Sequence, residues 1–142
     1  MKRVALLGMP NTGKSTFFNR LTGATARVGN WPGITVDLMT AKIILGSAIT
    51  QVVDLPGIYS FHGFSEDEKV VRDFLENNPV DLVVIILNAT QIDRQLPLAL
   101  QIVRVDWSTR ARVIGAAGAE DRNNNAERVV RRQNPAAFRA ME

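Results

Sequence analysis

The chain contains no cysteine, and this absence excludes disulfides and thiolate metal sites. It contains one histidine, His62. No hydrophobic run approaches the ~18 residues that span a bilayer, and the chain enters a predicted strand directly, without a signal peptide. The composition, 46% hydrophobic and 22% charged, is typical of globular proteins. These features predict a cytoplasmic domain.

Lysine is absent from the last part of the chain. Residues 1–103 carry nine basic and nine acidic side chains, whereas residues 104–142 carry eight arginines and five acids, so the whole net charge of +3 lies there. This break predicts a folded domain over residues 1–104 and a divergent, Arg-rich segment over residues 105–142 that is part strand and helix or disordered. A reading-frame change near residue 104 and a genuine divergent end, disordered or exchanged between chains in an oligomer, both remain open.

A complete phosphate-binding motif lies near the start of the chain. Residues 8–15 read GMPNTGKS, which matches G-x-x-x-x-G-K-[ST] between an apolar run and a helix-like stretch. In this geometry backbone N–H groups surround phosphates, Lys14 reaches the β- and γ-phosphates, and the Ser15 hydroxyl binds Mg²⁺. The predicted nucleotide contacts are Gly8, Met9, Pro10, Asn11, Thr12, Gly13, Lys14, Ser15 and Thr16.

Apolar periodicity and turn residues predict alternating strands and helices. Such alternation favours a three-layer α/β fold with a mostly parallel sheet, whose ligands bind at the carboxyl ends of the strands. The segments Ala24 to Val36 and Leu55 to Gly63 are predicted loops, and Pro97 is expected in the first turn of its helix. The predicted strands are 2–7, 36–45, 49–54, 81–87 and 111–117, and the predicted helices are 14–22, 65–77, 94–105 and 125–132.

A second nucleotide motif follows the predicted strand 49–54. Asp54, Leu55, Pro56 and Gly57 form a D-x-x-G sequence, in which the Asp holds Mg²⁺ and the Gly N–H meets the γ-phosphate. Thr35, in the loop between the two motifs, is the candidate for a second Mg²⁺-binding hydroxyl. The predicted Mg²⁺ ligands are therefore Ser15, Thr35 and Asp54.

These motifs together resemble a known family. The segments GMPNTGKST, VGNWPGITV (28–36), DLPGIYS (54–60) and SEDE (65–68) resemble the cytosolic G domain of ferrous iron transport protein B, FeoB, over residues 2 to about 104. The resemblance implies a P-loop, Ras-like fold, GTP hydrolysis to GDP with Mg²⁺, and Gly33, Ile34 and Thr35 beside the nucleotide. It also implies regulation of Fe²⁺ uptake at the cytoplasmic face of the bacterial inner membrane, through a membrane domain that this chain lacks.

The resemblance also indicates how hydrolysis would proceed. Ile58 stands where Ras has the glutamine that orients water, so that side chain is missing. Asn11 matches the asparagine that similar G domains use to hold K⁺ beside the phosphates, and K⁺ would stabilise charge in the transition state. The predicted catalytic residues are Asn11, Lys14, Thr35 and Gly57. His62 is interpreted as a loop residue, and Trp31 as either a reporter of nucleotide state or a hydrophobic anchor.

The sequence departs from the family in its base-reading motif. FeoB proteins carry N-x-x-D after a late strand, but here the literal match Asn78 to Asp81 precedes a strand, and Asp121 is a poor substitute. We therefore expect weak nucleotide affinity and poor discrimination of GTP from ATP. Two other functions stay open: a non-catalytic nucleotide-binding regulatory module, and an RNA-associated GTPase that uses the basic tail. The loop sequence argues against the latter, so no nucleic-acid partner is expected.

Overall fold

The computed structural model of the chain describes residues 1–104 and the backbone of residues 112–117. In this part of the chain, strands and helices alternate as the sequence predicts. Short 3-10 turns cover Gly23–Thr25 and Ala89–Gln91. The main elements are β1 (Lys2–Gly8), α1 (Lys14–Thr22), β2 (Arg27–Gly29), β3 (Leu38–Leu45), β4 (Ala48–Asp54), α2 (Glu66–Asn77), β5 (Leu82–Leu87), α3 (Ile92–Arg104) and β6 (Arg112–Ala117).

The described strands form one sheet in the order β2-β3-β4-β1-β5-β6. Strand β1 lies parallel to β4 and β5, and β5 lies parallel to β6, while β2 and β4 run antiparallel to β3. Leu6 on β1 pairs with Asp54 on β4 and with Val84 on β5. The carboxyl ends of the four parallel strands therefore meet at one edge, where β1 runs into the phosphate-binding motif.

Helices cover both faces of the sheet. On one face, Phe18 of α1 packs with Leu6 and Val52 in a buried cluster. On the other, Phe74 of α2 and Leu98 of α3 share a larger buried cluster with the remaining sheet side chains. Because β1 and β5 at the centre of the sheet are mostly buried on both sides, their sequences are nearly continuously apolar. The predicted three-layer α/β fold is confirmed.

Local sequence signals set the helix ends. At the start of α2, Ser65 Oγ accepts a hydrogen bond from the Glu68 N–H at 3.2 Å, and the Ser65 N–H donates to the Glu68 carboxylate at 2.9 Å. This is the reciprocal capping box that the S-x-x-E pattern predicts. The C-terminus of α1 is followed by Gly23, whose positive φ of 57° is typical of the glycine that ends a helix.

The structure corrects two details. The predicted loop 24–36 contains β2, because the short segment Arg27–Gly29 pairs with β3, and three residues are too few to show a strand period. Pro97 is the sixth residue of α3 and not in its first turn. The helix α3 begins at Ile92, earlier than the predicted start at residue 94. The turn before it is capped, because the Asn88 side chain accepts a hydrogen bond from the Thr90 N–H at 3.0 Å.

The last described strand, β6, confirms the predicted strand 111–117 and pairs Ala117 with Leu87 of β5. The predicted helix 125–132 lies outside the described residues. None of the helices in the described part of the chain is both long and apolar enough to cross a membrane.

Candidate functional site

The phosphate-binding motif forms the turn between β1 and α1. Gly8 ends β1 and Lys14 begins α1, so the intervening residues must reverse direction over a short distance. Asn11 and Gly13 have φ values of 62° and 89°, in the left-handed region. No side chain caps α1 at Gly13, and its first turn has no acidic residue. The free N–H groups and the positive end of the helix dipole therefore favour an anion there.

The D-x-x-G segment packs directly onto this turn. The Leu55 N–H donates to the Leu6 carbonyl at 3.2 Å, and the Ile58 N–H donates to the Gly8 carbonyl at 3.0 Å. A Cβ atom on Gly57 would lie 2.9 Å from the Pro10 nitrogen, so only glycine fits this approach. The parallel pairing of β1 and β4 thus brings the two predicted motifs together.

The charged residues of the two motifs meet at this edge. The Lys14 ammonium forms a short ion pair with the Asp54 carboxylate, and the two side chains are 9% and 15% exposed. Ser15 lies beside them at the start of α1 and is exposed. A hydroxyl and a carboxylate are the hard oxygen donors that Mg²⁺ prefers, so the residues present fit this ion. In the described residues no cluster of three or more His, Cys, Asp or Glu side chains forms a metal site of another kind.

A cavity of about 450 Å³ opens over the turn. It includes Asp67 of α2, which sequence reasoning missed. The capping box and the acidic first turn of α2 could have indicated this placement, because they fix where the helix begins relative to the D-x-x-G segment. The lining residues are Met9, Pro10, Asn11, Gly13, Lys14, Ser15, Thr16, Gly57 and Asp67.

Five of the predicted contacts in these two motifs do not line this cavity: Gly8, Thr12, Asp54, Leu55 and Pro56. Thr12 is 5% exposed, and its hydroxyl has no hydrogen-bond partner among the described residues. Burial of an unpaired hydroxyl costs free energy, so it marks a position where a bound group could supply the missing partner. Leu55 is fully buried and belongs to the core.

The predicted contacts Gly33, Ile34 and Thr35 are not among the residues that line the cavity. They belong to residues 30–37, named here the connecting loop because they join β2 to β3. The Asn78 side chain donates to the Pro32 carbonyl at 3.0 Å, which fastens this loop to the end of α2. Thr35 is exposed and is not among the cavity residues. Its role as a Mg²⁺ ligand stays a prediction.

Trp31 of the same loop packs against the main core. Its ring meets the Phe74 ring edge-on, with the centroids 5.1 Å apart, and its indole N–H has no partner in the described residues. In this structure Trp31 is the hydrophobic anchor that the sequence offered as one of two interpretations.

The segment after Gly57 is held by α2 and α3. Glu68 accepts a bond from the Ser60 N–H at 3.2 Å, and Gln101 of α3 accepts one from the Phe61 N–H at 2.8 Å. The Ser65 hydroxyl lowers the pKa of Glu68 below its ordinary value of 4.5, with smaller contributions from the backbone N–H groups and Arg72. His62 is exposed and stacks edge-on against Phe61, outside the cavity.

Ile58 is 1% exposed and packs in the core. Its side chain therefore cannot place water over the phosphates. The literal N-x-x-D match lies at the opposite edge of the sheet, as expected, where the Asp81 carboxylate accepts a bond from the Arg3 N–H at 2.9 Å. Asp121 lies outside the described residues.

The fold and the phosphate-loop geometry define a P-loop domain of the Ras-like G-domain class. A sequence profile of the family described as ferrous iron transport protein B matches residues 2–127, and the chain belongs to this family. The match continues past residue 104, where the resemblance stated from the sequence ends.

Individual relatives agree with this assignment. The Fe(2+) transporter FeoB of Synechocystis sp. is 60% identical over 101 residues, which cover 71% of this chain and 16% of that protein. The G domain of the T. maritima FeoB iron transporter is 36% identical with a TM-score of 0.70, covering 81% of this chain and 71% of that one. The T. maritima FeoB cytosolic domain in its GMPPNP form is 38% identical with a TM-score of 0.73, covering 82% and 45%. The chain thus spans about 16% of the length of the first of these relatives.

Proposed function

We propose that this chain binds GTP and GDP with Mg²⁺ at the turn between β1 and α1 and hydrolyses GTP. The observation that carries the proposal is that Lys14 lines one cavity together with Gly57 and pairs with Asp54. The T. maritima FeoB domain solved in a GMPPNP form supports it, because that domain shares this fold at 38% identity.

The site contains an ion pair that a nucleotide would rearrange. Phosphate oxygens would take over the Lys14 ammonium, which would release the Asp54 carboxylate. The freed carboxylate and the Ser15 hydroxyl would then hold Mg²⁺, and Thr35 would add a second hydroxyl when a γ-phosphate is present. When bound, Mg²⁺ neutralises charge on the phosphates.

Catalysis would use groups of the phosphate-binding turn and of the D-x-x-G segment, because the glutamine that orients water in Ras is replaced by Ile58. Ile58 is buried where such a side chain would stand, so the Gly57 N–H and Lys14, which both line the cavity, would act on the γ-phosphate instead. Asn11 lines the cavity, and its backbone lies in the left-handed region. We propose that Asn11 helps to hold K⁺ there, where the cation would stabilise charge developing in the transition state.

The wider role follows from the family. Relatives named Fe(2+) transporter extend far beyond the matched segment. We propose that this chain acts as the cytoplasmic G domain of a ferrous iron transporter at the inner membrane, and that its nucleotide state regulates Fe²⁺ uptake. Because N-x-x-D is missing from the expected place, guanine recognition is impaired and the phosphates supply most of the binding free energy.

The buried Ile58 also favours a second function, a regulatory module that binds nucleotide without useful turnover. Single-turnover GTP hydrolysis with protein in excess separates the two. We expect slow hydrolysis by the parent chain and by the control Lys42→Ala, whose exposed side chain lies on β3, and none by Lys14→Ala. Nucleotide binding without any hydrolysis in the parent chain would reject the GTPase and support the module.

A further inference from the structure

The hairpin that joins β3 to β4 has an apolar tip. Residues 44–49, named here the hairpin tip, surround a two-residue turn. Its large side chains are aliphatic and exposed, with exposed fractions of 75% for Ile44, 44% for Leu45 and 57% for Ile49. Single exposed aliphatic side chains are ordinary, but a group of them within one turn forms a patch that indicates contact with another surface.

The hairpin tip extends beyond the neighbouring strands. Strand β1 pairs with β4 from Thr50 onward, and β2 pairs with β3 only as far as Thr40. Among the described residues, the strands of the tip therefore pair only with each other. Ile44 lies directly opposite Ile49 on one face of the hairpin, and Leu45 lies on the other face because side chains alternate along a strand. A flat protein surface would cover one face alone, whereas a lipid phase would surround the projecting tip and bury both.

Cations flank the hairpin tip. Lys42 is exposed, lies on the same face as the two isoleucines and pairs across the hairpin with Gln51. Gln51 also lies opposite Arg3 of β1 and accepts a hydrogen bond from its guanidinium at 3.3 Å. Lys2 precedes Arg3 and is exposed, and Asp81, at 3.7 Å from its ammonium, offsets one of these charges. A net positive charge therefore remains beside the apolar tip, which matches an anionic membrane surface.

The opposite edge of the sheet carries the reverse charge. About 20 Å of β4, from Ala48 to Asp54, separates the hairpin tip from the edge that holds the cavity. At the cavity edge, α2 begins with three consecutive acids, residues 66–68. Phe64 is fully exposed there, but these acids disfavour its approach to anionic lipid. An anionic surface would therefore attract the tip and repel the cavity edge, which would leave the cavity open to nucleotide from solution.

We propose that the hairpin tip inserts into the anionic leaflet of the membrane, with Lys2, Arg3 and Lys42 at the level of the lipid headgroups. This inference rests on the proposed function, a domain of a transporter at the inner membrane, and it specifies which edge of the domain faces the bilayer. The relatives named Fe(2+) transporter are far longer than the segment they share with this chain. A domain tethered to such a protein stays close to the bilayer, so a modest affinity of the tip is enough to fix its orientation.

The first test uses a single fluorescent label, because the chain contains no cysteine. Ser47→Cys, in the exposed turn of the hairpin tip, carries a nitrobenzoxadiazole label, and Glu66→Cys, at the start of α2, carries the control label. With vesicles of equal parts phosphatidylcholine and phosphatidylglycerol, we expect a blue shift and brighter emission from the label at position 47 and no change at position 66. Vesicles of phosphatidylcholine alone should give a weaker response because they lack the negative charge.

Vesicle sedimentation then measures the affinity of unlabelled variants. Ile44→Thr combined with Ile49→Thr keeps β-branched side chains but makes them polar, and should lower vesicle affinity about tenfold or more. Val28→Thr is the matched control, because Val28 is 62% exposed on β2, away from the tip. Lys42→Gln should lower the affinity about fivefold, the contribution of one cation near an anionic membrane, whereas Lys69→Gln, exposed on α2, should leave it unchanged.

The outcomes separate this inference from its alternatives. Unchanged vesicle affinity in the folded double variant would overturn it and assign the binding to other groups, such as the arginines of residues 104–142. Absence of vesicle binding by the parent chain would also overturn it and favour a protein partner for the tip, and an equal label response at positions 47 and 66 would overturn the orientation. Calorimetry with Mg²⁺ and GDP, without vesicles, tests the nucleotide site separately. Nucleotide binding without vesicle binding rejects this inference alone. Circular dichroism establishes that each variant is folded.

Discussion

Lys14 and Asp54 form an ion pair at the carboxyl edge of the sheet, with each side chain mostly buried. Lys14 begins α1 and Asp54 ends β4, forty residues further along the chain. Each charge lacks water on most sides and therefore depends on its partner. Under the proposed function, a nucleotide would supply a phosphate for Lys14, and Mg²⁺ would replace the ammonium beside Asp54.

The first prediction concerns this exchange. Asp54→Asn should leave nucleotide affinity in EDTA unchanged or higher, because Lys14 no longer has a charged competitor for the phosphates. The gain in affinity on adding Mg²⁺ should fall by about tenfold or more, the size of a charge-assisted contact. Calorimetry with GDP, with and without Mg²⁺, measures both effects. Glu76→Gln, exposed in the last turn of α2, is the control, and an undiminished Mg²⁺ effect in Asp54→Asn would contradict the assignment.

Gly57→Ala tests the contact between the two motifs. The added Cβ atom would lie 2.9 Å from the Pro10 nitrogen, so the D-x-x-G segment must move away from the phosphate loop. We expect a loss of about 1–3 kcal/mol in unfolding free energy, typical of overpacking, together with weaker nucleotide binding. Gly46→Ala should cost a similar ~1–2 kcal/mol, because its φ of 62° strains a side chain, but should leave binding unchanged. Urea unfolding and calorimetry distinguish the two variants.

The cation dependence of hydrolysis tests Asn11. If K⁺ stabilises the transition state from this position, GTP hydrolysis should be about tenfold or more faster in K⁺ than in Na⁺ at equal ionic strength. Asn11→Ala should remove the difference, whereas Asn19→Ala, exposed on α1, should keep it. Equal rates in the two salts with the parent chain would rule out the K⁺ role.

Base discrimination tests the missing N-x-x-D motif. Each polar group of the guanine base that is left unpaired costs ~1–3 kcal/mol. A domain without the N-x-x-D motif therefore loses most of its preference for guanine over other bases. We expect ATP, CTP and GTP to displace a fluorescent GDP analogue with affinities within about tenfold of one another. A strong preference for GTP would show that another residue reads guanine.

The stability of the start of α2 should depend on pH through Glu68. Its pKa is lowered in the folded chain, chiefly by the Ser65 hydroxyl, so the folded state favours the charged carboxylate. This contribution is fully present above the ordinary value of 4.5 and is lost as the pH falls through the lowered pKa of the folded state. Glu68→Gln keeps an acceptor for the capping box without the charge.

Urea unfolding between pH 6 and pH 3 should therefore show a steeper loss of stability for the parent chain than for Glu68→Gln, with other acids contributing equally to both. Parallel curves for the two proteins would show that Glu68 titrates alike in the folded and unfolded states.

Residues close in sequence predicted much of this molecule. The apolar run before Gly8, the S-x-x-E pattern at Ser65 and the glycine after Thr22 each act within a few residues, and the structure shows β1, α2 and the end of α1 where they indicate. The two nucleotide motifs were also predictable, because each is a continuous segment. Strand β2 was not, because a three-residue edge strand is fixed by its partner β3 and carries no pattern of its own.

The sequence by itself determined the alternation of strands and helices, the phosphate-binding turn and the presence of the D-x-x-G segment, because these depend on local backbone preferences and on apolar periodicity. Only the tertiary structure decided that Lys14 pairs with Asp54, that Asp67 lines the cavity, and that Trp31 packs between Arg3 and Phe74. Those contacts join residues far apart in the chain, and parallel strand pairing and packing across the sheet set their distances.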